Sequence, residues 1–368
     1  MSGKCRILFG GGGTAGHLFP GVAIADELKE RFGCHVRFVG TRNGIEYTSL
    51  PPMGYALSVV WISGIARGRF LRNLLFPLKM AVSFVQAVGI IRRYKPHAIV
   101  GTGGYASWPV VMAGSVMGVP LFLQEQNIKP GLVTKIMAPK ADTVYMSYPD
   151  TEQFLQGKAR KILCGNPTRS SLDTMDRADA CKVFGLDPRR KTVFIFGGSQ
   201  GSLFINRLIA EAADRLVTDL PVQLLWATGP RWADWVSTVA AGKNIKIYPF
   251  IDNMAAAYGA ADLTVCRSGA TTIAEITRLG VPALFIPFAA AADNHQQKNA
   301  DILSRKGAAA VLTEHDADAE TLLGKVTSLI QDHDALRGIA DKARELGRPD
   351  AAPRIAEDIL SVIEESLY

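Results

Sequence analysis

The run from Arg267 to Glu275 has the residue types and spacing that could bind a phosphorylated ligand. An apolar stretch ends at Arg267 and Ser268, the chain turns at Gly269, and a helix is predicted over 271–279. The first amides of a helix have no partner inside it, so they can donate to an anion in front of them. Glu275, about one and a half turns into the helix, can accept hydrogen bonds from hydroxyl groups. Phosphate charge beside hydroxyls is the chemistry of a nucleoside diphosphate.

Two more glycine-rich turns join a predicted strand to a predicted helix. Residues 10–16 precede a helix expected to begin near Pro20, and residues 197–202 precede a helix over 203–217. Glycine allows such turns to adopt positive φ and to approach a ligand closely. Neither turn has the dinucleotide pattern G-x-G-x-x-G followed by an acidic residue, nor the G-x-x-x-x-G-K-[ST] pattern. Three such junctions indicate phosphate binding more strongly than one, and the missing fingerprint disfavours a dehydrogenase.

The order of predicted elements indicates how these turns are positioned. Apolar runs typical of buried strands alternate with helical periodicity, which predicts parallel sheets with helical crossovers. The predicted strands are 6–9, 35–39, 98–101, 120–124, 143–147, 161–164, 192–196, 222–227, 245–250, 262–266, 283–287 and 309–313. Further helices are predicted at 79–93, 319–331 and 352–367. We therefore predict an α/β fold with two Rossmann-like, doubly wound domains facing across a cleft.

The length of 368 residues also favours two domains. We predict an N-terminal domain over 1–163, a C-terminal domain over 164–345, and a terminal segment over 346–368 whose helix packs back on the first domain. The candidate linker is 165–168, where glycine and proline interrupt regular structure. Ligands of open parallel sheets bind beyond the carboxyl ends of the strands, so the site is expected there.

Composition narrows the class of protein. The net charge is +7, without the aromatic and basic interleaving or the motifs of a nucleic-acid-binding protein. The five cysteines are scattered and lack C-x-x-C spacing, which favours reduced thiols in the cytoplasm and disfavours a zinc site. The opening 1–4 runs into a core strand, so no signal peptide is predicted. The uncharged stretch 100–123 contains glycines and prolines and fits a buried βαβ unit better than a membrane span.

The segment 64–79 alternates cations with large apolar residues. One interpretation is a loop with an ordinary core-facing side. The other is a patch that dips into lipid headgroups while its cations meet anionic phospholipid. The residues of this predicted membrane patch are Arg67, Arg69, Phe70, Leu71, Arg72, Leu74, Leu75, Phe76 and Lys79.

Taken together, the motifs make the chain resemble the MurG family of bacterial peptidoglycan glycosyltransferases, which have the two-domain GT-B fold. The resemblance covers nearly the whole chain and rests on eight motifs in the family's order. They are Thr14-Ala15-Gly16-His17, Gly103-Gly104-Tyr105, Glu125-Gln126-Asn127 with Pro130-Gly131, Gly165-Asn166-Pro167 with Arg169, Gly197-Gly198-Ser199-Gln200-Gly201, Pro249-Phe250-Ile251, Cys266-Arg267-Ser268-Gly269-Ala270, and Asp293-Asn294-His295-Gln296.

The resemblance implies an inverting glycosyltransferase of cell-wall peptidoglycan synthesis. It would move N-acetylglucosamine from UDP-N-acetylglucosamine to undecaprenyl-diphospho-muramoyl-pentapeptide, without a metal or other cofactor. The N-terminal domain would take the acceptor and the C-terminal domain the UDP-sugar. The enzyme would sit peripherally on the cytoplasmic face of the cell (inner) membrane, with anionic phospholipid and other cell-wall synthesis proteins as partners.

The resemblance also implies roles for matched residues. Ile251 would present its backbone to uracil, and Glu275 would hold the ribose. Tyr105 either orients the acceptor or packs in the turn. The remaining residues expected around the diphosphate and the sugar are Thr14, Ala15, Gly16, Asn127, Arg169, Ser199, Gln200, Arg267, Ser268, Ala270, Thr271, Thr272, Ile273, Ala274, Gln296 and Gln297.

Three residues are candidates for the base that deprotonates the acceptor. His17 ends the first glycine turn at a helix start, where the positive end of the helix favours the neutral ring. The alternative for His17 is a hydrogen bond to phosphate or backbone. His295 and Glu125 are the rivals, and His295 could instead cap a helix or contact sugar. The formal D-x-D match at 316–318 lies in a polar loop and is not expected to bind metal.

The chain departs from the family pattern at three places. Ala15 replaces the usual second glycine of the first turn, which restricts φ there. Gln124 replaces a histidine common before Glu-Gln-Asn, so no titrating role is assigned at that position. The run 289–292 is four alanines, so it offers no aromatic or polar contact to a sugar.

Three other functions compete with this interpretation. A UDP-sugar epimerase of the same fold would need acid–base carboxylates at the sugar and no lipid patch. Another lipid glycosyltransferase, such as a diacylglycerol galactosyltransferase, would share the fold and the association with a membrane. A nucleotide sensor or scaffold would bind UDP without turnover.

Overall fold

The chain divides into two compact units. The computed structural model describes residues 5–64, 74–240 and 245–365. The first unit comprises Met1–Ser170 and Arg348–Tyr368, and the second comprises Ser171–Gly347. The boundary therefore falls after Ser170, and the predicted linker 165–168 belongs to the first unit. These residues are buried there, and the Asn166 Oδ1 accepts a hydrogen bond from Gln124 Nε2 at 3.2 Å.

The first unit is built on a seven-stranded parallel sheet with the order β3-β2-β1-β4-β5-β6-β7. Its strands are β1 Arg6–Gly11, β2 His35–Gly40, β3 Ala56–Val59, β4 Ala98–Gly103, β5 Leu121–Glu125, β6 Thr143–Met146 and β7 Arg160–Leu163. Its helices are α1 Ala15–Glu30, α2 Glu46–Ser49, α3 Phe76–Tyr94, α4 Trp108–Val116, α5 Leu132–Met137 and, after the second unit, α14 Ala351–Glu365.

The second unit repeats this plan on a six-stranded parallel sheet with the order β10-β9-β8-β11-β12-β13. Its strands are β8 Lys191–Phe196, β9 Val222–Ala227, β10 Ile245–Tyr248, β11 Leu263–Cys266, β12 Ala283–Phe285 and β13 Ala310–Val311. Its helices are α6 Arg177–Phe184, α7 Leu203–Thr218, α8 Ala233–Val239, α9 Met254–Ala260, α10 Ala270–Leu279, α11 His295–Arg305, α12 Ala319–Gln331 and α13 His333–Leu346.

Both sheets have the strand order of a doubly wound fold, in which β1 and β8 lie at the centre with helices on both faces. The central strands are apolar on both sides because helices cover them, and this is why they appear as continuous apolar runs in the sequence. The reversal of strand order next to β1 and β8 opens a crevice at the carboxyl ends of the strands. The predicted α/β fold with two Rossmann-like units is confirmed.

The predicted start of the first long helix is wrong. The helix begins at Ala15 and carries Pro20 inside it, because the first turn forms on the Thr14 carbonyl, which accepts from the N–H groups of His17 and Leu18. Ala15 is an ordinary helical residue, so its replacement of a glycine costs the backbone nothing. The positive φ angles of this turn belong to Gly12 and Gly13, at 146° and 79°.

The terminal helix α14 completes the core of the first unit. Ile355, Ala356 and Ile359 are fully buried in one apolar cluster with β1 and α1. On its flank, Asp358 accepts a hydrogen bond from the Tyr145 hydroxyl at 2.8 Å and pairs with Arg160 at 2.6 Å. The helix therefore belongs to the first unit although the second unit precedes it in the chain.

The uncharged stretch 100–123 is the βαβ unit β4-α4-β5, as predicted. Within the described ranges, none of the helices combines the length and the apolarity that a membrane crossing requires.

Candidate functional site

The start of α10 presents main-chain amides that no side chain in the described part of the chain caps. β11 ends at Cys266, and Gly269 takes an extended conformation with φ −66° and ψ 148° as the residue before the helix. Gly269 has no side chain to accept from the first amides, and α10 has no acidic residue in its first turn. An anion placed here would meet free N–H donors and the positive end of the helix.

Arg267, expected at the phosphates, has internal partners instead. It is 7% exposed, and its guanidinium pairs with Glu314 at 2.5 Å and donates to the Ile286 carbonyl at 2.9 Å and the Ser202 hydroxyl at 2.8 Å. Burial lowers the pKa of Arg267, and the Glu314 carboxylate opposes this change. Because Glu314 already balances its charge, Arg267 ties the end of β11 to the second glycine turn.

The residues after β12 are held onto the start of α10. The Ser268 hydroxyl, fully buried, donates to the Gln296 carbonyl at 2.8 Å. The Gln296 side chain accepts from the Phe288 N–H at 3.0 Å, and Gln297 donates to Asp301 at 2.7 Å. Ser268 therefore positions the first turn of α11, which also carries His295, next to the free amides of α10.

Glu275 is fixed by a buried tyrosine. The Tyr258 hydroxyl donates to Glu275 Oε2 at 2.9 Å. Burial and the nearby Glu275 carboxylate raise the pKa of Tyr258 well above its usual range, so the hydroxyl keeps its proton and remains a donor. Glu275 is half-buried, one turn beyond the free amides. Ile251 lies in the apolar cluster that includes Tyr258, and the neighbouring Phe250 is 47% exposed.

The first glycine turn is organised by Glu46, a residue that the sequence analysis did not single out. Its carboxylate is fully buried and accepts from the Gly13 N–H at 2.8 Å, the Thr41 N–H at 2.8 Å and the Thr41 hydroxyl at 2.9 Å. A Cβ atom at Gly12 or Gly44 would lie 2.5 Å or less from this carboxylate, so glycine is required for the close approach. The signal in the sequence is a lone acidic residue after the Gly40–Gly44 loop.

His17 lies beside this turn and contacts β4 and the residue after β5. Its Nδ1 is 3.2 Å from Gln126 Oε1. A Cβ atom at Gly103 would lie 2.9 Å from His17 Nδ1, and one at Gly104 would lie 3.0 Å from its Cδ2. The Gly103–Gly104 pair therefore makes room for the imidazole ring.

A cavity of about 520 Å³ opens at His17 in the first unit. Polar groups of His17, Tyr105 and Glu125 line one part of it. Thr134 and three glycines also line it, and its large apolar lining residues are Ile62, Phe76, Met80, Trp108, Leu132, Val133 and Ile136. Leu132 and Ile136 are 69% and 48% exposed, so the apolar part reaches the protein surface.

Glu125 is occupied by main-chain donors. Its Oε1 accepts from the Asn127 N–H at 3.0 Å, and its Oε2 accepts from the Gly131 N–H at 3.0 Å. The carboxylate therefore shapes the loop between β5 and α5. The Asn127 carbonyl in turn accepts from the Thr151 hydroxyl at 3.1 Å, and the Asn127 side chain is half-buried.

The other predicted site residues occupy the three helix starts. Thr14, exposed, precedes α1, and Ala15 and Gly16 form its first turn. Ser199 and Gln200 lie on the second glycine turn. Ala270, Thr271, Thr272, Ile273 and Ala274 form the first one and a half turns of α10. Arg169 lies in the first unit, with its guanidinium 5.0 Å from the centre of the Phe19 ring.

The D-x-D match at 316–318 lies at the N-terminus of α12 and caps this helix. Asp318 caps α12 by accepting from the Thr321 N–H at 2.7 Å, and Asp316 accepts from the Thr313 hydroxyl at 2.6 Å. Among the described residues, no three His, Cys, Asp or Glu side chains lie close enough together to hold a metal ion.

Part of the predicted membrane patch lies outside the described residues, namely Arg67, Arg69, Phe70, Leu71 and Arg72. Of the described part, Leu74 and Leu75 are 69% and 51% exposed, and the adjacent Leu78 is 52% exposed. Phe76 is half-buried at the start of α3. Lys79 donates to the Ser63 hydroxyl at 3.0 Å and lies 5.8 Å from the Trp61 ring centre.

Comparisons with known proteins agree with this arrangement. The glycosyltransferase family 28 N-terminal domain matches residues 7–146, and the C-terminal domain of the same family matches residues 192–355. The chain is 36% identical to a UDP-N-acetylglucosamine–N-acetylmuramyl-(pentapeptide) pyrophosphoryl-undecaprenol N-acetylglucosamine transferase of Flavobacterium psychrophilum, over 98% of each chain. It is 38% identical to the enzyme of that name from Chlorobaculum tepidum, over 97% of this chain and 99% of the relative.

Solved structures show the same fold. The crystal structure of Acinetobacter baumannii MurG superposes with a TM-score of 0.75 at 26% identity, over 97% of this chain and 99% of that one. A putative UDP-N-acetylglucosamine 2-epimerase from Listeria monocytogenes gives a TM-score of 0.70 at 14% identity, over 99% and 98% of the two chains, which shows the shared fold alone. By its full-length identity to the curated transferases, the chain belongs to the MurG family of glycosyltransferase family 28.

Proposed function

We propose that the chain transfers N-acetylglucosamine from UDP-N-acetylglucosamine to undecaprenyl-diphospho-muramoyl-pentapeptide by a single inverting displacement. The relatives' names state this donor, sugar and acceptor. The observation that carries the proposal is the helix start at Ala270, where free amides adjoin the fixed carboxylate of Glu275. Together they offer what a nucleoside diphosphate presents, a place for the phosphates and an acceptor for the ribose hydroxyls.

The second unit would stabilise the departing UDP. Negative charge grows on the β-phosphate as the glycosidic bond breaks, and fixed main-chain donors stabilise such charge without reorganising. The amides of Ala270 and the residues after it supply these donors. Gln296 and Gln297, at the first turn of α11, would contact the sugar, and Ile251 would present its backbone to the uracil.

The first unit would bind the acceptor in the cavity at His17. The polar lining residues would bind the acceptor sugar. The apolar residues of α3 and α5 would contact the lipid part of the acceptor. His17 is the proposed base because its ring borders the cavity. Glu125 is less suited to this role, since both of its oxygens already accept main-chain N–H groups.

The described part of the membrane patch, together with the exposed side of α5, would rest on the cytoplasmic face of the cell membrane. Leu74, Leu75 and Leu78 expose apolar surface at the N-terminal end of α3. Phe76, at the same end, contributes to the cavity wall. Arg67, Arg69 and Arg72 of the same segment would interact electrostatically with anionic phospholipid headgroups. This location would bring the cavity to a lipid-linked acceptor.

The experiment is a transfer assay with UDP-N-acetylglucosamine labelled in the sugar and a short-chain, lipid-linked muramoyl-pentapeptide. We expect label in the lipid fraction and UDP released in equal amount, and only when the acceptor is present. A parallel reaction with diacylglycerol tests another lipid acceptor. Release of UDP without any acceptor would instead support an epimerase, and UDP binding without turnover would support a sensor.

A further inference from the structure

A row of buried amide side chains lies behind His17. Gln126 and Gln124 are 1% and 0% exposed, and Asn166 is 7% exposed. Gln126 separates His17 from Gln124, and Gln124 separates Gln126 from Asn166. The row connects the start of α1, the end of β5 and the residues after β7.

A main-chain carbonyl sets the orientation of this row. Gln126 Nε2 is 2.7 Å from the Thr102 carbonyl oxygen. A carbonyl oxygen only accepts, so the amide nitrogen of Gln126 must face it, and the opposite orientation would bring two oxygens together. The amide oxygen of Gln126 must then face His17 Nδ1, at 3.2 Å.

Gln124 supports the same orientation. The second N–H of Gln126 is directed at Gln124 Oε1, at 2.5 Å, and Gln124 Nε2 donates to Asn166 Oδ1 at 3.2 Å. The orientations of the Gln126 and Gln124 amides are thus fixed by their neighbours, whereas the buried Asn166 Nδ2 has no hydrogen-bond partner among the described residues. The Gln124 amide does not titrate. Its hydrogen bond keeps the Gln126 amide from flipping by 180°.

The fixed oxygen of Gln126 selects the tautomer of the histidine. A neutral imidazole carries one hydrogen, and an oxygen facing Nδ1 is satisfied only if that hydrogen is on Nδ1. Nε2 then carries a lone pair. Among the described residues no hydrogen bond involves Nε2, and the ring borders the cavity.

We propose that Gln126 is a positioning residue that keeps the hydrogen of neutral His17 on Nδ1 and leaves Nε2 free as the proton acceptor. The catalytic half of this inference rests on the proposed function; the tautomer does not. In the reaction, the acceptor hydroxyl gives its proton to Nε2 while its oxygen bonds to the anomeric carbon, and UDP leaves with the electron pair of the broken bond. The Gln126 oxygen accepts from Nδ1–H before and after this step.

The groups that face His17 from neighbouring elements are few. Glu125 and Tyr105 line the same cavity, and Glu46 lies behind Gly12 and Gly13. Both carboxylates accept hydrogen bonds from main-chain N–H groups. Among the described residues, neither carboxylate forms a hydrogen bond with His17 Nδ1, so the choice of tautomer falls to Gln126.

The test is nitrogen NMR of the full chain labelled with 15N-histidine, with His17→Gln used to assign the signal. At a pH where the ring is neutral, we expect the hydrogen of His17 on Nδ1. Gln126→Met, close in shape but without the acceptor, should shift the hydrogen toward Nε2. The same variant should lower kcat on the order of 10- to 100-fold with little change in the donor KM, as for other residues that orient a reactive imidazole.

Two further variants guard against a general folding effect. Gln124→Met leaves the Thr102 contact and should shift the tautomer less than Gln126→Met. Gln223→Met replaces another buried glutamine, in the second unit, where it bonds to the main chain of Asp187. It should leave the His17 signal unchanged.

A hydrogen on Nε2 in the unmodified protein would overturn the proposal, as would an unchanged His17 signal in Gln126→Met. A tautomer that shifts as expected with unchanged turnover would uphold the role of Gln126 and remove His17 as the base. If the unmodified protein shows no transfer activity, this result would count against the proposed function, but the NMR measurement of the tautomer would remain valid.

Discussion

The first and third glycine-rich turns both join a central strand to a helix, but the main-chain amides at the two turns have different partners. In the first unit, the buried Glu46 carboxylate takes the Gly13 N–H, and a histidine with fixed hydrogen-bond partners borders a cavity. In the second unit, no side chain of the described residues caps the helix that begins at Ala270, and Arg267, which precedes it, is paired internally.

The difference suggests a division of chemistry between two units of one fold. In the first turn a buried carboxylate takes the Gly13 amide and repels a second anion, although α1 also begins without a side-chain cap. This turn can instead hold a side chain for proton transfer. A turn with free amides is prepared for phosphate. The second glycine turn is intermediate, since the Ser202 hydroxyl accepts from the Ile205 N–H at 3.3 Å. The predictions below test this contrast, beginning with the largest expected effect.

Replacing the histidine tests the proton-transfer side of the comparison. His17→Ala should lower kcat about 10²- to 10⁴-fold, the usual contribution of a general base, while the affinity for UDP stays nearly constant. Steady-state kinetics and titration calorimetry measure the two quantities. His315→Ala, which removes a histidine with a 96% exposed side chain, is the control. A parallel loss of UDP affinity in His17→Ala would place His17 at the phosphates and weaken the contrast.

Removing the buried carboxylate tests whether Glu46 organises the first turn. Glu46→Ala leaves the two buried donors of Thr41 and the partly buried Gly13 N–H without an acceptor. It should lower the free energy of unfolding by about 2–4 kcal/mol. Denaturant unfolding measures this change. Glu152→Ala, which removes an exposed partner of Lys161 at 3.8 Å, should cost well under about 1 kcal/mol. Equal stability of the two variants would show that the Glu46 contacts contribute nothing.

Removing the fixed carboxylate of the second unit tests the donor side. Glu275→Ala should weaken UDP binding by about 1–3 kcal/mol, because hydroxyl groups of the ligand lose a fixed, half-buried acceptor. Tyr258→Phe keeps the carboxylate but frees it from its donor, so its effect should be smaller. Glu320→Ala, at an exposed glutamate of the same unit, should have none. Calorimetry with UDP that finds no change for Glu275→Ala would remove this residue from the site.

The exposed apolar residues at α3 test whether membrane contact belongs to the first unit. The combined change of Leu74, Leu75 and Leu78 to serine should reduce binding to anionic vesicles at least about tenfold, because apolar surface no longer enters the headgroup region. Flotation measures the bound fraction. Val183→Ser, at a 51% exposed position of the second unit, is the control. Unchanged flotation of the triple variant would show that the leucines are not a membrane contact.

The sequence predicted the central strands and the helix start at Ala270 because these features are local. Continuous apolar runs between glycine turns require no knowledge of distant residues. It missed β3, a half-buried edge strand of four residues whose apolar pattern is short and weak. Edge strands bury less apolar surface, so they leave less signal.

The polar contacts of the candidate site could not be predicted from local pattern. Gln126 and His17 are 109 residues apart in the chain, and Glu46 and Gly13 are 33 apart. Arg267 appeared available for phosphate because its partner Glu314 lies two strands later in the same unit. Which charges are free and which are already paired depends on tertiary structure, and a single sequence does not state it.

The place of α14 has a consequence for how the polypeptide reaches its native state. The ribosome makes every residue of the second unit before it makes Ile355, Ala356 and Ile359, which fill the first unit's core. During synthesis, the part of the first unit's core that α14 covers therefore remains exposed beside α1, while the second unit can already fold. Folding in the cell would then run out of chain order, and the earliest-made half would be the longest exposed to chaperones and proteases.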